Sequence, residues 1–131
     1  GPELYADVMN VADQHAKAAG ANWNAFSPFD DGYTAPSPVD GKRANPWGFV
    51  GMHGNMQEWC LDALASYLMR VRSGDGLRVA DGEKRMARGA NFRLPLLYAR
   101  ASQRTPYNPA SSYGDVGLRV ARSLQPLVRR D

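Results

Sequence analysis

Few side chains in this sequence have the reactivity that catalysis or transition-metal binding requires. The 131 residues contain one cysteine, Cys60, and two histidines, His15 and His53. A thiol or an imidazole can act as a nucleophile, a base or a metal ligand, but it usually needs a partner that activates it or completes the site. Neither histidine has a partner at i+3 or i+4, and no Ser-His-Asp arrangement or carboxylate pair can be argued from the sequence. We therefore expect Cys60 to be a small buried side chain and both histidines to be solvated or hydrogen-bonded.

Contact with a ligand is the chemistry that residues 91–116 favour. The segment holds three prolines and a glycine, which are typical of loops, and three tyrosines, which offer rigid amphipathic area at low entropic cost. Phe92 belongs to the core or to this surface. We predict that a protein or small-molecule ligand binds through Arg93, Leu96, Leu97, Tyr98, Tyr107, Asn108 and Tyr113.

The elements that must position these residues are short. Apolar residues at helical spacing predict one helix from Leu4 to a stop at Gly20. Prolines and glycines punctuate residues 21–55, and the aromatic residues among them indicate packed loops. Residues 56–71 follow a helical period, whereas residues 73–89 read as turn, strand, turn and strand. A final strand is expected around Leu118 and Val120.

Length and composition bound the class of protein. The chain has the size of one domain, residues 1–131, and its net charge of +3 is spread along the sequence, so we expect no nucleic-acid partner. No apolar run reaches the roughly 18 residues of a membrane span, so we expect no membrane insertion. The opening Gly1-Pro2 resembles a protease-cleavage scar, and we expect a piece excised from a longer protein that carries further domains. The sequence does not indicate in which cellular compartment the protein resides.

Several ordered motifs carry a resemblance to a known family. "NPWGFVGMHGNMQEWC" (residues 45–60) resembles the pattern N-x-x-G-L-x-D-M-x-G-N-V-x-E-W of the formylglycine-generating-enzyme, or sulfatase-modifying-factor, family. "DDGYTAPSPVD" (30–40), "RGANFRLPLLYARASQR" (88–104) and "GLRVAR" (117–122) resemble its D-D-G-Y, its R-G-G-S-W with R-S-A-x-R, and its G-F-R-V-A. The order and spacing of these motifs make the resemblance specific.

The resemblance implies an α+β, C-type-lectin-like fold that is loop-rich, with short strands and few helices. It covers almost the whole chain but only the later, C-terminal portion of the family domain. It also changes one assignment, because the family has a strand where this sequence has residues 57–61. We therefore expect a strand over 56–61 and a short helix only from Asp62 onward.

The resemblance further implies a structural Ca²⁺ ion. The family's ligands are an Asn side chain, the next carbonyl, an Asp and the carbonyl two residues later, which match Asn10, Val11, Asp31 and Tyr33. Such oxygen ligands suit a hard cation. The alternative is that Asp31 begins an unliganded turn.

A second family metal site lacks one ligand here, because Gly51 stands where a side chain is required. Its carboxylate, Glu58, is expected to accept backbone hydrogen bonds instead. Turn positions with positive φ or close backbone contact are expected for Gly48, Gly51 and Gly54. The motif arginines should brace loops rather than touch a ligand; they are Arg88, Arg100, Arg104 and Arg119.

Catalysis is not favoured by the resemblance. The family's copper-dependent oxidases carry a cysteine pair between the R-G-G-S and R-S-A-R motifs, where this sequence reads "NFRLPLLYA" without cysteine. We therefore expect no copper and favour a non-catalytic module. The alternative is an oxidase of the formylglycine-generating or sulfoxide-synthase type, or its accessory half, completed by chain outside this sequence.

Binding proteins use the same fold, including the variable proteins of diversity-generating retroelements. Their mutagenesis of AAY codons yields residues other than Lys, Glu, Gln, Met and Trp. Residues 1–90 contain 16 members of this excluded set, so a proportional share for residues 91–116 would be roughly 4 or 5, yet Gln103 is the sole member there. A constant proline-rich loop could show the same bias, so diversification remains one of two interpretations.

Overall fold

The computed structural model describes residue 1 and residues 3–121, and regular structure within them is sparse. Loops connect two short helices, one 3-10 helix and four short strands. In chain order the elements are α1 (Glu3–Ala6), α2 (Gln14–Ala18), β1 (Gln57–Ala63), β2 (Arg85–Arg88), the 3-10 helix (Leu96–Ala99), β3 (Thr105–Tyr107) and β4 (Val116–Gly117).

The four strands form one mixed sheet in the order β3-β2-β1-β4. β2 lies antiparallel to both β1 and β3, whereas β4 pairs with β1 in parallel. Between Trp59 and Ala63 the register of β1 against β2 shifts, and such a bulge increases the local twist of the strand. The sheet therefore brings residues 57–63, 85–88 and 105–107 together on one curled surface.

The predicted single helix from Leu4 to Gly20 is wrong, because α1 and α2 are separated by residues 7–13. Asp13 has an extended backbone and caps α2, its Oδ1 accepting the Ala16 N–H at 3.1 Å. Just before it, Asn10 forms a parallel β-bridge with Gly54. A helical backbone cannot make that bridge, so tertiary pairing overrides the apolar period.

The strand assignments are partly confirmed. β1 lies where the resemblance implied a strand, and β2 lies within the predicted second strand of residues 73–89. Residues 77–79 form no strand, and the short helix expected from Asp62 is wrong because β1 continues to Ala63. The last observed strand, Val116–Gly117, precedes the predicted position around Leu118 and Val120.

The core is small and lies between the N-terminal segment and the 3-10 helix. Its buried apolar cluster consists of Met9, Val11, Phe29, Ala90 and Ala99, with Ala6, Val8 and Leu96 packed against it.

Buried polar side chains continue this core toward the sheet. Gln57 is fully buried, and it donates to Thr105 Oγ1 at 2.8 Å and accepts from Tyr107 Oη at 2.7 Å. Buried hydrogen-bonded side chains of this kind fix loops that have few regular backbone bonds. Within the described residues, no helix has the length and apolar character needed to cross a membrane.

Candidate ligand-binding surface and calcium site

Two of the predicted ligand-binding residues, Arg93 and Tyr98, line one pocket with a volume of about 250 Å³. Trp23 forms another part of its wall. We call this cavity the Trp23 pocket; its lining is Asn22, Trp23, Asn24, Ala25, Arg93, Leu94, Pro95 and Tyr98.

Hydrogen bonds to the core hold the chain along this pocket. Asn91 is buried, and its Oδ1 accepts the Arg93 N–H at 3.0 Å. The Ala12 N–H donates to the Leu94 carbonyl at 3.0 Å, and the Leu96 N–H donates to Ser27 Oγ at 2.8 Å. The pocket wall is therefore fixed before any ligand arrives, which reduces the entropic cost of binding.

The neighbouring leucines have different environments. Leu96 is half-buried and packs against the core cluster, so most of its side chain supports the loop. Leu97 is 65% exposed and stands beside Tyr98 on the outer face of the 3-10 helix. Phe92 is buried and meets the Trp23 ring edge-on at 5.9 Å, which resolves its assignment in favour of the core.

The remaining predicted residues form a second group on the sheet. The ring centroids of Tyr107 and Tyr113 lie 4.4 Å apart, and Trp59 lies at 5.9 Å and 6.3 Å from them. Tyr113 Oη accepts the Asn108 N–H at 3.1 Å. Burial raises the pKa of Tyr107, so its phenol stays protonated and donates to Gln57. Tyr107 and Asn108 thus form hydrogen bonds within the protein. These bonds hold the aromatic group in place and leave it less available to a ligand.

The four predicted calcium ligands lie in one neighbourhood. Asp31 Oδ2 accepts the Val11 N–H at 2.8 Å, and Oδ1 accepts the Tyr33 N–H at 3.0 Å. Asn10 donates through Nδ2 to the Ala35 carbonyl at 2.9 Å, and its Oδ1 is buried without a hydrogen-bond partner among the described residues. An unpaired buried oxygen is costly, and a cation coordinated there would relieve the cost.

The charge at Asp31 is poorly compensated. Burial raises the pKa of the Asp31 carboxyl to about 6 and nearby Asp13 adds to the rise, while the Val11 N–H and Lys42 oppose it. Lys42 Nζ donates to the backbone carbonyls of Asp31, at 2.6 Å, and Ala6, at 2.8 Å. Its ammonium does not pair with the Asp31 carboxylate. A buried carboxylate without an ion pair is a favourable ligand for a divalent cation.

The donor set around Asp31 fits Ca²⁺ better than it fits a transition metal. Within the part of the chain that the structure describes, no three His, Cys, Asp or Glu side chains converge on one position. A metal at Asp31 would therefore depend on one carboxylate, the Asn10 amide oxygen and backbone carbonyls. Oxygen ligands of this kind are what Ca²⁺ prefers.

The expectation that Glu58 accepts backbone hydrogen bonds is wrong. Its carboxylate forms a bidentate ion pair with Arg119, with Nε–Oε2 and Nη2–Oε1 distances of 2.9 and 2.7 Å. Arg119 Nη2 also donates to the Val50 carbonyl at 2.8 Å. Arg119 thus braces a loop, as expected for the motif arginines. A wider cleft of about 500 Å³ lies above this pair, between Phe49 and Leu118.

Sequence reasoning missed three residues at these sites. Trp23 was assigned only as an apolar anchor of a loop, although it lines the same pocket as Arg93 and Tyr98. Trp59 was placed in the strand expected over residues 56–61 but in no site, although the two-residue alternation of that strand puts it on the same face as Gln57, which bonds Tyr107. No sequence pattern pointed to Lys42, because its contact with the Asp31 carbonyl depends on how the loop folds.

Comparison with known proteins finds the same family by two routes. The family described as Sulfatase-modifying factor enzyme 1-like domain matches residues 3–124. The formylglycine-generating enzyme of Thermomonospora curvata is 31% identical over 102 residues, which are 70% of this chain and 33% of that protein. The chain thus spans about a third of the length of this curated relative.

Two solved structures resemble the fold. PvdO from Pseudomonas aeruginosa aligns over 86% of this chain and 38% of that chain, with a TM-score of 0.67 and 24% identity. Treponema denticola variable protein 1 aligns over 59% of this chain and 28% of that chain, with a TM-score of 0.49 and 27% identity. The similarity to PvdO confirms the expected α+β, C-type-lectin-like architecture, with few helices and short strands.

Proposed function

Because the chain belongs to the family of sulfatase-modifying factor enzyme 1-like domains, we propose that it is a non-catalytic binding module that displays its C-terminal loops on this scaffold. The segment between its R-G and R-A-S-x-R motifs contains no cysteine. Cys60 lies on β1, where its charged neighbours are Arg88, Asp62 and Glu58. A lone thiol in that position supports a structural role rather than the paired-thiol chemistry of an oxidase.

The observation that carries the proposal is the Trp23 pocket. Arg93 and Tyr98, selected as contact residues for their chemical type, line the same concave surface as Trp23. Tyrosine, tryptophan and arginine are the residues in which binding energy concentrates at protein interfaces. The pocket offers aromatic faces, one exposed guanidinium and the amides of Asn22 and Asn24. Its chemistry suits a peptide segment that carries an apolar side chain next to a carboxylate or carbonyl group.

Selection of peptides from a random displayed library on the immobilised chain tests this proposal. We expect selected peptides to lose affinity by at least about thirtyfold for Tyr98→Ala, because truncating an aromatic anchor costs about 2 kcal/mol or more. Trp23→Ala should weaken the same peptides. Isothermal titration calorimetry measures both changes.

Leu68→Ala is the matched control for these truncations. Leu68 is 95% exposed and does not line the pocket, so its truncation should leave affinity and melting temperature unchanged. Peptides that bind Trp23→Ala and Tyr98→Ala as tightly as the wild type would move the binding surface away from the pocket.

We further propose that residues 91–116 are diversified between copies of this domain. The support is the near absence of residues encoded outside the variable codon set, with Gln103 the sole member in the segment. Arg93, Leu97 and Tyr98 are exposed positions where substitution would change the ligand without disturbing the core.

Sequencing the gene's own locus tests diversification. We expect a nearby near-copy of the segment encoding residues 91–119 that differs from the gene only at adenines. A locus without such a copy would mean a constant binding surface, and the peptide test above would still decide whether the pocket binds.

A structural Ca²⁺ ion at Asp31 completes the proposed function. Its support is the conjunction of a buried unpaired amide oxygen on Asn10 and a carboxyl on Asp31 whose pKa is raised to about 6. Asn10, Val11, Asp31 and Tyr33 would hold the ion. Its role would be to tie the segment between α1 and α2 to the loop that carries Asp31, and so to stabilise the scaffold beneath the Trp23 pocket.

A further inference from the structure

Three arginines from distant parts of the chain surround one tyrosine at the side of the sheet. Arg104 Cζ lies 3.7 Å and Arg78 Cζ lies 5.2 Å from the ring centroid of Tyr67. Arg88 Nη1 is 3.5 Å from Tyr67 Oη and donates to the Ala101 carbonyl at 2.9 Å. Tyr67 Oη donates to the Ser102 carbonyl at 2.7 Å, which fixes the ring. We call Tyr67, Arg78, Arg88 and Arg104 the arginine cluster.

The positive charge of the arginine cluster is not neutralised within the described part of the chain. The contacts between acidic and basic side chains there are His15–Asp30, Arg72–Asp75 and Glu58–Arg119, and none involves the cluster. Asp62 is an acid of the same region, but its Oδ1 accepts the backbone N–H of Arg78 at 2.8 Å rather than a guanidinium. Three guanidinium groups and one carboxylate therefore leave an excess of two positive charges.

Two guanidinium nitrogens of the cluster are buried without an acceptor. Arg78 Nε and Arg104 Nη1 have no solvent contact and no hydrogen-bond partner among the described residues. The Tyr67 ring attracts the cations by its π face but accepts no strong N–H bond from them. Both arginines are half-exposed overall, so an anion would contact the rest of each guanidinium group rather than these two nitrogens, and its charge would offset the cost of burying them.

The nearby thiol does not supply the missing negative charge. Burial raises the pKa of Cys60, although Arg88 opposes the rise. The thiol is therefore neutral near pH 7, and the excess positive charge remains for an external group.

We propose that the arginine cluster binds a phosphate-type oxyanion. A phosphate group carries close to two negative charges near neutral pH, which matches the excess charge of the cluster. Its oxygens accept N–H bonds from planar guanidinium forks, the geometry in which arginine exceeds lysine. The anion is either inorganic phosphate or a phosphoryl group on a partner protein. This site is separate from the Trp23 pocket and does not depend on the function proposed for it.

Thermal unfolding in phosphate against chloride, at constant ionic strength and constant free Ca²⁺, tests the site. We expect a saturable rise in melting temperature with phosphate for the wild type. In Arg104→Gln the phosphate concentration at half-saturation should increase at least about tenfold, because a charge-assisted hydrogen bond is lost. Arg78→Gln should do the same. Arg104→Lys, which keeps the charge but loses the fork, should fall between wild type and Arg104→Gln.

The control variant is Arg70→Gln, which removes the same charge from an exposed arginine three residues from Tyr67. Phosphate stabilises many proteins by preferential exclusion, so the difference between Arg70→Gln and Arg104→Gln is the informative quantity. Equal phosphate responses in Arg70→Gln, Arg78→Gln, Arg104→Gln and wild type would overturn the proposal. So would a wild-type melting temperature that phosphate does not raise beyond the chloride control, if a phosphopeptide also fails to bind in preference to its unphosphorylated form.

A short phosphoserine peptide and its unphosphorylated form distinguish the source of the anion. Binding of the phosphopeptide with loss in Arg104→Gln would assign the cluster to a phosphorylated partner. Binding of inorganic phosphate without the phosphopeptide would assign it to the free ion. Both outcomes support an oxyanion site, whereas equal binding of the two peptide forms and no response to inorganic phosphate would contradict it.

Discussion

Replacing Gly54 by alanine is expected to destabilise the protein by more than about 4 kcal/mol, or to prevent folding. Gly54 has φ of +81°, and a Cβ there would lie 2.2 Å from the Asn10 carbonyl oxygen and 2.9 Å from its carbon. Those neighbours are backbone atoms of the bridge between Asn10 and Gly54, so they cannot move aside without separating the N-terminal segment from the loop that precedes β1. Urea unfolding monitored by circular dichroism measures the change.

Gly48→Ala is the matched control for Gly54→Ala. Gly48 has nearly the same backbone conformation, with φ of +82°, but no heavy atom lies within 4 Å of the position of its Cβ. Its substitution should cost only the conformational penalty of a left-handed residue, about 1 kcal/mol. Equal losses in the two variants would mean that φ alone, and not the contact with Asn10, explains why glycine is needed at position 54.

Removal of Ca²⁺ is expected to lower the melting temperature by roughly 10 °C at about pH 7.5, since saturating ligand adds about 3 kcal/mol. The effect should depend on pH through Asp31. In the metal-free protein the pKa of this carboxyl is about 6, above its ordinary value of 3.8. The folded chain then binds the proton more tightly than the unfolded chain, so this group's contribution to metal-free stability falls as pH rises from about 4 through about 6.

Ca²⁺ competes with that proton, so the stabilisation by Ca²⁺ should be largest above about pH 7 and should disappear as pH falls through about 6. Calorimetric melts with and without chelator across this range measure it. Asp31→Asn should show no Ca²⁺ response at any pH, whereas Asp40→Asn, the same change on an exposed loop, should respond as the wild type does. A Ca²⁺ response that survives in Asp31→Asn would refute the site.

The sequence predicted local structure best where a backbone conformation is accessible mainly to one residue type. The positive φ values of Gly48, Gly51 and Gly54 were foreseen because glycine clusters commonly mark such turns. The helix from Leu4 to Gly20 was not, because the bridge between Asn10 and Gly54 joins residues that are far apart in sequence. Periodicity reports a preference of the local chain, and a long-range contact of the backbone overrode it here.

For the candidate sites, the sequence indicated which residue types to consider but not how their side chains are arranged in space. Tyrosines in the C-terminal loops were predicted to contact a ligand, yet Tyr107 and Tyr113 pack with Trp59 whereas Tyr98 lines a pocket with Trp23. The family motifs located Asp31 and Asn10, but the unpaired Asn10 oxygen and the position of Lys42 became visible only in three dimensions. The motifs marked Arg88 and Arg104 as arginines that brace loops, but nothing in the sequence indicated that Arg78 and Tyr67 join them in one cluster.

The measurement that tests the central claim most directly is an NMR chemical-shift map of the ¹⁵N-labelled chain titrated with a library-selected peptide. The account predicts that the largest shift changes fall on residues 22–25, 93–95 and 98, which line the Trp23 pocket. Changes confined to the cleft between Phe49 and Leu118, with the Trp23 pocket unperturbed, would contradict the account and would place the peptide-binding site in that cleft.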